Sequence, residues 1–310
     1  MSVDPVTDNV RELNDELSEV LITQWRLSSE DVERIRETMR SAHLSFAEAA
    51  RHIGLVTPEQ IVATIEWVRD RAPARTLSVV EVAIRREKSG HSVVVRHAGQ
   101  VKPGIHLVLA RDPDNPRCEQ LRALRTELLL LLSANGNRSN VIALVSPCPE
   151  EGRSQLAAEL AIAFAQLGRC TLLVDADLRR PRQHALFEAD NLWGLTQSLA
   201  YGEPLPLHSV EGLPHLSLLT SGPTPSNPLE LLSDGRFDRL MRQWRNQFDF
   251  VVIDTPPLTK YSDALAIATL AGGVLVVNRA ETTTYKDMQD LLRRLASTQA
   301  RTLGAVLNRF

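Results

Sequence analysis

From Cys118 to the C-terminus, short apolar runs alternate with segments whose apolar residues recur at helical spacing. The runs at 140–146, 171–175, 216–220, 250–254, 273–278 and 302–307 read as strands. Segments near 118–133, 153–167, 227–247, 261–270 and 284–297 read as the helices between them. Strands alternating with helices predict an α/β fold with a doubly wound, mostly parallel sheet.

The first 70 residues have a different character. Val32, Ile35 and Met39, and later Ile61, Ile65 and Val68, fall at helical spacing. Ser28-Ser-Glu-Asp31 and Thr57-Pro-Glu-Gln60 are helix-start signals, the second with Pro58 in the first turn. Gly54 predicts a helix stop. Residues 1–70 therefore read as a small N-terminal helical interaction module with no chemistry of its own. Residues 71–116 read as a basic linker, with a short strand at Val93–Val95 and a boundary at the prolines of Arg111-Asp-Pro-Asp-Asn-Pro116. Between 69 and 106, eight Lys and Arg face three Asp and Glu, a net +5. That charge suits either a solvated linker or contact with anionic lipid or an acidic partner. Residues 117–310 form the domain with the alternating pattern.

Composition narrows the class. Hydrophobic content of 43% suits a globular core, and a net charge of −3 argues against a general nucleic-acid binder. Cys118, Cys148 and Cys170 show no C-x-x-C spacing, which favours a reducing cytoplasm over a disulfide framework. No signal-peptide pattern opens the chain, and no apolar stretch reaches the roughly 20 residues of a membrane span. Work at a membrane would then need a partner or a charged surface.

Three strand ends carry candidate chemistry. Leu172–Val174 runs into Asp175 and Asp177, then Arg179, Arg180 and Pro181. Carboxylates at the C-terminal edge of parallel strands lie where open α/β sheets bind ligands. Residues two apart on a strand face the same way, so Asp175 and Asp177 are candidates to converge on one cation. Arg179 and Arg180 are candidates to meet a phosphate or an acidic partner. Val141–Val145 leads into Ser146-Pro-Cys-Pro-Glu-Glu-Gly-Arg-Ser154 and a helix over Gln155–Leu167. Strand, loop and helix form the layout of a phosphate-binding loop, whose amides and helix N-terminus face phosphate. Arg153 takes the place of the usual lysine, Ser154 that of the Mg²⁺-binding hydroxyl, and Gly152 is the glycine retained. Glu150 and Glu151 add negative charge. Phe248–Ile253 ends in Asp254, placed to hold Mg²⁺ or its water. Each feature alone is equally an ordinary strand end or turn; jointly they predict one Mg-nucleotide site.

At these residues the sequence resembles a family. Asp175-Ala-Asp177 with Arg179-Arg-Pro181, and Val252-Ile-Asp-Thr-Pro-Pro257, are similar to the Walker A′ and Walker B motifs of bacterial tyrosine kinases (BY-kinases) of exopolysaccharide and capsule export. Glu119-x-x-Arg122-x-x-Arg125, Gly222-Pro-Thr-Pro-Ser-Asn-Pro-Leu-Glu-Leu-Leu232 and Gly304-Ala-Val-Leu-Asn308 resemble further family segments. The likeness spans about 115–310. The head, with Leu27–Arg34 and Phe46–Thr57, resembles the helical module of the chain-length-determinant subgroup, which also carries Arg at the position of Arg153. Where that subgroup's loop has a glycine, this chain has Glu150, and the family's C-terminal tyrosine cluster is absent.

The resemblance implies a P-loop sheet of the MinD/ParA-like type and an ATP- and Mg²⁺-dependent tyrosine autokinase. Glu151, Gly152, Arg153, Ser154, Gln155 and Asn308 would bind nucleotide, with Asn308 near the adenine. Ser154, Asp177 and Asp254 would hold Mg²⁺. Asp175, Asp177 and Arg153 would act in catalysis, Asp175 by receiving or orienting the acceptor proton. Glu119, Arg122 and Arg125 would form an oligomer contact. The implied partners are further copies of the chain and a membrane chain-length-determinant protein, with no nucleic acid. The implied location is the cytoplasm, at the inner face of the membrane. Two other readings remain open here: a nucleotide-binding regulator of the same machinery without kinase activity, and a ParA/MinD-like ATPase.

Overall fold

The computed structural model describes residues 22–23, 27–42, 49–50, 53–56, 60, 95–133, 140–202 and 205–309. The chain divides into two units, Met1–Val94 and Val95–Phe310. In the first, helix α1 (Ser29–Ala42) starts at its sequence signal. Asp31 N donates to Ser28 Oγ at 3.1 Å, and Ser28 N donates to Asp31 Oδ2 at 3.1 Å. This reciprocal cap satisfies two amides that the helix leaves orphaned. Val32 and Ile35 are buried, as their spacing predicts. Gly54, at φ +73°, ends a helical turn, and Leu55 N donates to Ala50 O across it. The start at Thr57, the periodicity of 61–68 and the basic stretch 69–94 lie outside the described residues.

The second unit is built on an eight-stranded sheet. Its strands are β1 (Val95–Val101), β2 (Val141–Val145), β3 (Thr171–Asp175), β4 (Leu205–Val210), β5 (Leu213–Leu219), β6 (Phe250–Asp254), β7 (Gly273–Arg279) and β8 (Arg301–Asn308). They lie in the order β1-β4-β5-β3-β6-β2-β7-β8, and only β4 and β5 pair antiparallel. The helices are α2 (Val108–Arg111), α3 (Pro116–Ser133), α4 (Arg153–Ala165), α5 (Gln183–Leu186), α6 (Leu195–Tyr201), α7 (Pro228–Ser233), α8 (Gly235–Gln247), α9 (Asp263–Ala271) and α10 (Tyr285–Leu295). The doubly wound, mostly parallel sheet is as expected.

Strands β2 and β3 are buried along their whole length, which is why they read as unbroken apolar runs. Helix α4 is buried from Leu156 to Ala165, and its alanines let it lie close on the sheet. Phe164 stacks on Phe250 of β6 with ring centroids 4.1 Å apart. Strand order reverses around β2: the chain runs from β2 out to β3, while β6 on one side of β2 connects to β7 on the other. Such a switch point opens a crevice at the C-terminal strand ends.

Two strands go beyond the sequence reading. β1 begins at Val95, the last residue of the short strand read in the linker, and runs on to Val101 through polar residues; β4 carries Pro206 and His208, which break a strand pattern. Together they cover the edge that β5 would otherwise leave open. The segment 227–247, expected as one helix, is two. Asp234 is extended between α7 and α8, and its side chain accepts from Arg236 N at 3.1 Å to cap α8.

Candidate active site

The register of the sheet sets the site. Asp175 ends β3 directly opposite Asp254 at the end of β6, and Leu144 of β2 also pairs with Asp254. Beyond β2 the loop Ser146–Gly152 turns back over these ends. Leu258 N donates to Ser146 O and Thr255 Oγ1 to Leu144 O, so the segment after β6 holds the loop from behind. Gly152 enters α4 at φ +83°, and no side chain caps the helix. The first-turn amides of α4 are therefore placed to serve a phosphate. Glu151 is buried inside the loop, where Oε2 accepts from Cys148 N at 2.8 Å and Oε1 from Thr283 Oγ1. Its side chain shapes the loop, and the loop's outer edge belongs to Glu150.

A cavity of about 470 Å³ opens between this loop and the residues after β3 and β6. Its wall includes Gly152, Ser154, Gln155 and Asp177; its rim includes Arg180, Arg182, Lys260 and Arg279. This size suits a small-molecule ligand, and the cationic rim suits an anionic one.

Arg153 also lines the cavity, but its guanidinium is taken up by the strand ends. Its side chain is 7% exposed, with Nε donating to Asp254 Oδ1 at 3.3 Å, Nη2 to Asp177 Oδ2 at 3.4 Å and Nη1 to Ser146 Oγ. The guanidinium expected to meet phosphate oxygens instead sits between two carboxylates expected to serve a metal. Asp175 and Asp177 do not converge. Asp175 is fully buried, away from the cavity wall, and accepts from Arg182 N, Gln183 N and Asp177 N at 3.0, 2.9 and 3.3 Å. It anchors the chain into α5. Asp177 reaches the cavity, while its Oδ1 accepts from Arg179 N and Arg180 N. Burial pushes the Asp175 carboxyl well above its ordinary range, and the Asp254 charge beside it adds to the rise. Burial and then Asp254 also raise Asp177.

These features fit a divalent cation. Two buried carboxylates, Asp177 and Asp254, share the one guanidinium of Arg153, and buried Asp175 lies opposite Asp254 with only backbone amides for partners, so carboxylates outnumber cations here. Ser154 lies on the cavity wall beside Asp177. A hydroxyl and one or two carboxylates, with phosphate and water completing the shell, is an ordinary Mg²⁺ donor set.

The remaining site residues divide. Gln155 lines the cavity and donates Nε2 to His106 O at 3.0 Å. Asn308 donates Nδ2 to Glu151 O at 3.2 Å, bracing the loop from β8. Arg179 makes a two-pronged ion pair with buried Asp263, at 3.0 and 3.1 Å, and lies over the Tyr261 ring; Arg180 stays exposed on the rim. On α3, Glu119 is exposed and Arg122 reaches it at 3.5 Å while donating to Pro113 O. Arg125 leaves that face and donates Nη1 to Ala163 O of α4 at 3.0 Å. Sequence reasoning missed Gln183, Glu159, Thr283 and Arg279. Glu159 is buried within α4 and accepts from Val108 N and Leu109 N, which caps α2. An acidic residue in a helix with an otherwise apolar surround was the available signal.

Among the described residues, Glu150 is one of three non-glycine residues with positive φ, at +63°. Its side chain is exposed, so the charge it brings near phosphate is softened by water. The conformation itself explains why a glycine suits this position. Glu150→Gly should raise stability by about 1 kcal/mol in chemical denaturation, by relieving left-handed strain.

No protein-family model matches the chain. It is 37% identical over 209 residues to the putative tyrosine-protein kinase EpsB of Ralstonia nicotianae, covering 67% of this chain and 27% of that protein. It is 33% identical over 204 residues to the tyrosine-protein kinase YwqD of Bacillus subtilis, covering 66% of this chain and 85% of that protein. The chain belongs to the bacterial tyrosine kinase family. Among solved structures, the kinase domain of the Escherichia coli tyrosine kinase ETK superposes with a TM-score of 0.62 at 29% identity, covering 72% of this chain and 91% of that one. The chain spans about a quarter of the first curated relatives' length, with 27% and 28% of them covered.

Proposed function

We propose that the chain is an ATP-dependent protein-tyrosine kinase domain of an exopolysaccharide or capsule export system. The observation that carries this reading is the cavity itself: a phosphate-type loop, a cationic rim and a carboxylate cluster short of positive charge meet at the switch point of the sheet. The loop amides from Glu151 to Ser154 would receive phosphate oxygens. Arg180, Arg182, Lys260 and Arg279 on the rim would attract the polyphosphate. Ser154, Asp177 and Asp254 would hold Mg²⁺, and Asn308 would keep the loop in place beside the nucleoside. When bound, Mg²⁺ would neutralise charge on the transferring phosphoryl group.

Arg153 has two roles in this reading. In the ligand-free protein it neutralises Asp177 and Asp254. With nucleotide bound, the guanidinium would turn toward the phosphates, leaving Asp177 and Asp254 free to hold Mg²⁺, which would supply the balancing charge. Asp177, at the cavity wall, is better placed than Asp175 to orient an acceptor hydroxyl, because Asp175 is occupied by three backbone amides. Of the three tyrosines, Tyr201 and Tyr285 are exposed, at 76% and 79%, and Tyr261 lies against Arg179. Exposed tyrosines of a neighbouring copy, or of a membrane chain-length protein, would be the acceptors. That membrane protein would hold the domain at the inner face of the membrane. No helix among the described residues is long and apolar enough to cross a bilayer.

Nucleotide binding is tested by thermal unfolding with MgADP. Binding to the native state alone should raise the melting temperature progressively with ligand concentration, by about 2.7 kcal/mol of stabilisation at a hundredfold excess over Kd. An unchanged melting temperature at saturating Mg-nucleotide would sink the proposal.

The same cluster predicts a pH dependence. A carboxyl whose proton is held more tightly folded than unfolded loses stability as pH rises from its unfolded value, near 3.8 for aspartate, through its folded one. Asp175 and Asp177 are of this kind, and burial raises Glu151 and Glu159 likewise. The ligand-free protein should resist urea better at mildly acidic than at neutral pH, and Mg²⁺ should narrow the difference. Stability rising steadily from mild acid to neutrality would contradict this.

A further inference from the structure

Gln183 joins all three strand-end motifs, two through its side chain and the third through its backbone N. It is fully buried at the first position of α5. Its Nε2 donates both to Asp254 Oδ2 and to Ser154 O, each at 2.9 Å, and its own backbone N donates to Asp175 Oδ2 at 2.9 Å. Its Oε1 is buried and has no hydrogen-bond partner. An unpaired buried carbonyl is costly, so its presence beside a carboxylate cluster points to a ligand that supplies a donor.

The geometry points to Gln183 as a positioning residue for the metal site, which fixes the Asp254 carboxylate through Nε2 and offers Oε1 to a metal-bound water. The inference rests on the Mg-nucleotide reading of the cavity. Asp254 has two oxygens to place. Arg153 holds Oδ1 and Gln183 holds Oδ2. When Arg153 leaves for the phosphates, Gln183 is the side chain that still prevents the carboxylate from rotating. The second bond of Nε2, to the Ser154 carbonyl, ties that orientation to a residue whose hydroxyl is another proposed metal ligand. Oε1 is an acceptor, and water on a dication is a strong donor, so the orphaned atom gains its partner when metal arrives. Outer-shell groups of this kind typically alter metal affinity by about 10- to 100-fold.

The test compares calorimetric binding of ADP with and without Mg²⁺ to wild type and to Gln183→Met. The methionine keeps the length and removes both donor and acceptor. Wild type should bind ADP more tightly with Mg²⁺ than in chelator. If it binds neither form, the nucleotide reading fails, and with it this inference. If wild type shows the Mg²⁺ gain, Gln183→Met should retain ADP binding in chelator and lose about 10-fold or more of the gain. A general loss of stability would weaken both affinities alike and leave their ratio unchanged. Should the methionine variant be insoluble, Gln183→Asn, whose amide is withdrawn by one methylene, should show the same selective loss. A folded variant with the wild-type ratio would overturn the assignment.

Discussion

Arg153→Met is expected to destabilise the ligand-free protein by about 3–5 kcal/mol, the cost of leaving buried charge without its partner. Asp177 and Asp254 would lose the cation that lies within 3.3–3.4 Å of both. Ser146 would lose a donor as well. Mg²⁺ should restore part of the stability, because a dication supplies the missing charge from the cavity side. Arg153→Lys should fall between the two, since an ammonium keeps the charge but cannot span three acceptors with one planar fork. Urea denaturation in chelator and in Mg²⁺ reads these differences directly. A methionine variant within about 1 kcal/mol of wild type in chelator would show that the guanidinium does not hold the carboxylates together.

The two aspartates after β3 should separate in their effects. Asp177→Asn should lower phosphotransfer by about 10²–10³-fold, the scale of one well-placed electrostatic group, and leave the fold intact. An amide at this position keeps an oxygen for Arg179 N and Arg180 N, so the turn survives; the Arg153 Nη2 contact is lost, but Arg153 keeps Asp254 and Ser146 as acceptors. Asp175→Asn should instead cost about 1–3 kcal/mol of stability. Both its oxygens accept backbone amides, and whichever way the new amide is turned, its NH₂ faces an N–H. Steady-state phosphorylation alongside denaturation separates the two. If Asp175→Asn is stable and inactive while Asp177→Asn is active, the roles are reversed.

Much of this architecture is visible in the residue pattern, for a physical reason. β2, β3 and β6 lie in the middle of a parallel sheet with both faces covered, so their apolar runs are continuous and end abruptly at the ligand edge. Asp175, Asp254 and the Ser146–Ser154 loop are thereby placed without any knowledge of contacts. β4 and most of β1 are not visible because their stability comes from pairing at the margin of the sheet, not from composition. The same limit applies within the site. Spacing puts Arg153 at the head of α4, but only the buried carboxylates below it turn the guanidinium inward. Spacing of three puts Arg125 with Glu119 and Arg122, but a hydrogen bond to the Ala163 carbonyl draws it onto α4. Gln183 carries no local signal, since its partners are 29 and 71 residues away along the chain.

Phosphoryl transfer at the edge of β2, β3 and β6 is tested most directly by incubation of the purified chain with radiolabelled ATP and Mg²⁺, followed by phosphoamino-acid analysis, for wild type and Asp177→Asn in parallel. The structure predicts labelled phosphotyrosine in wild type and its loss in the variant. No label in a wild-type protein that binds MgATP, or equal label in both proteins, would contradict it.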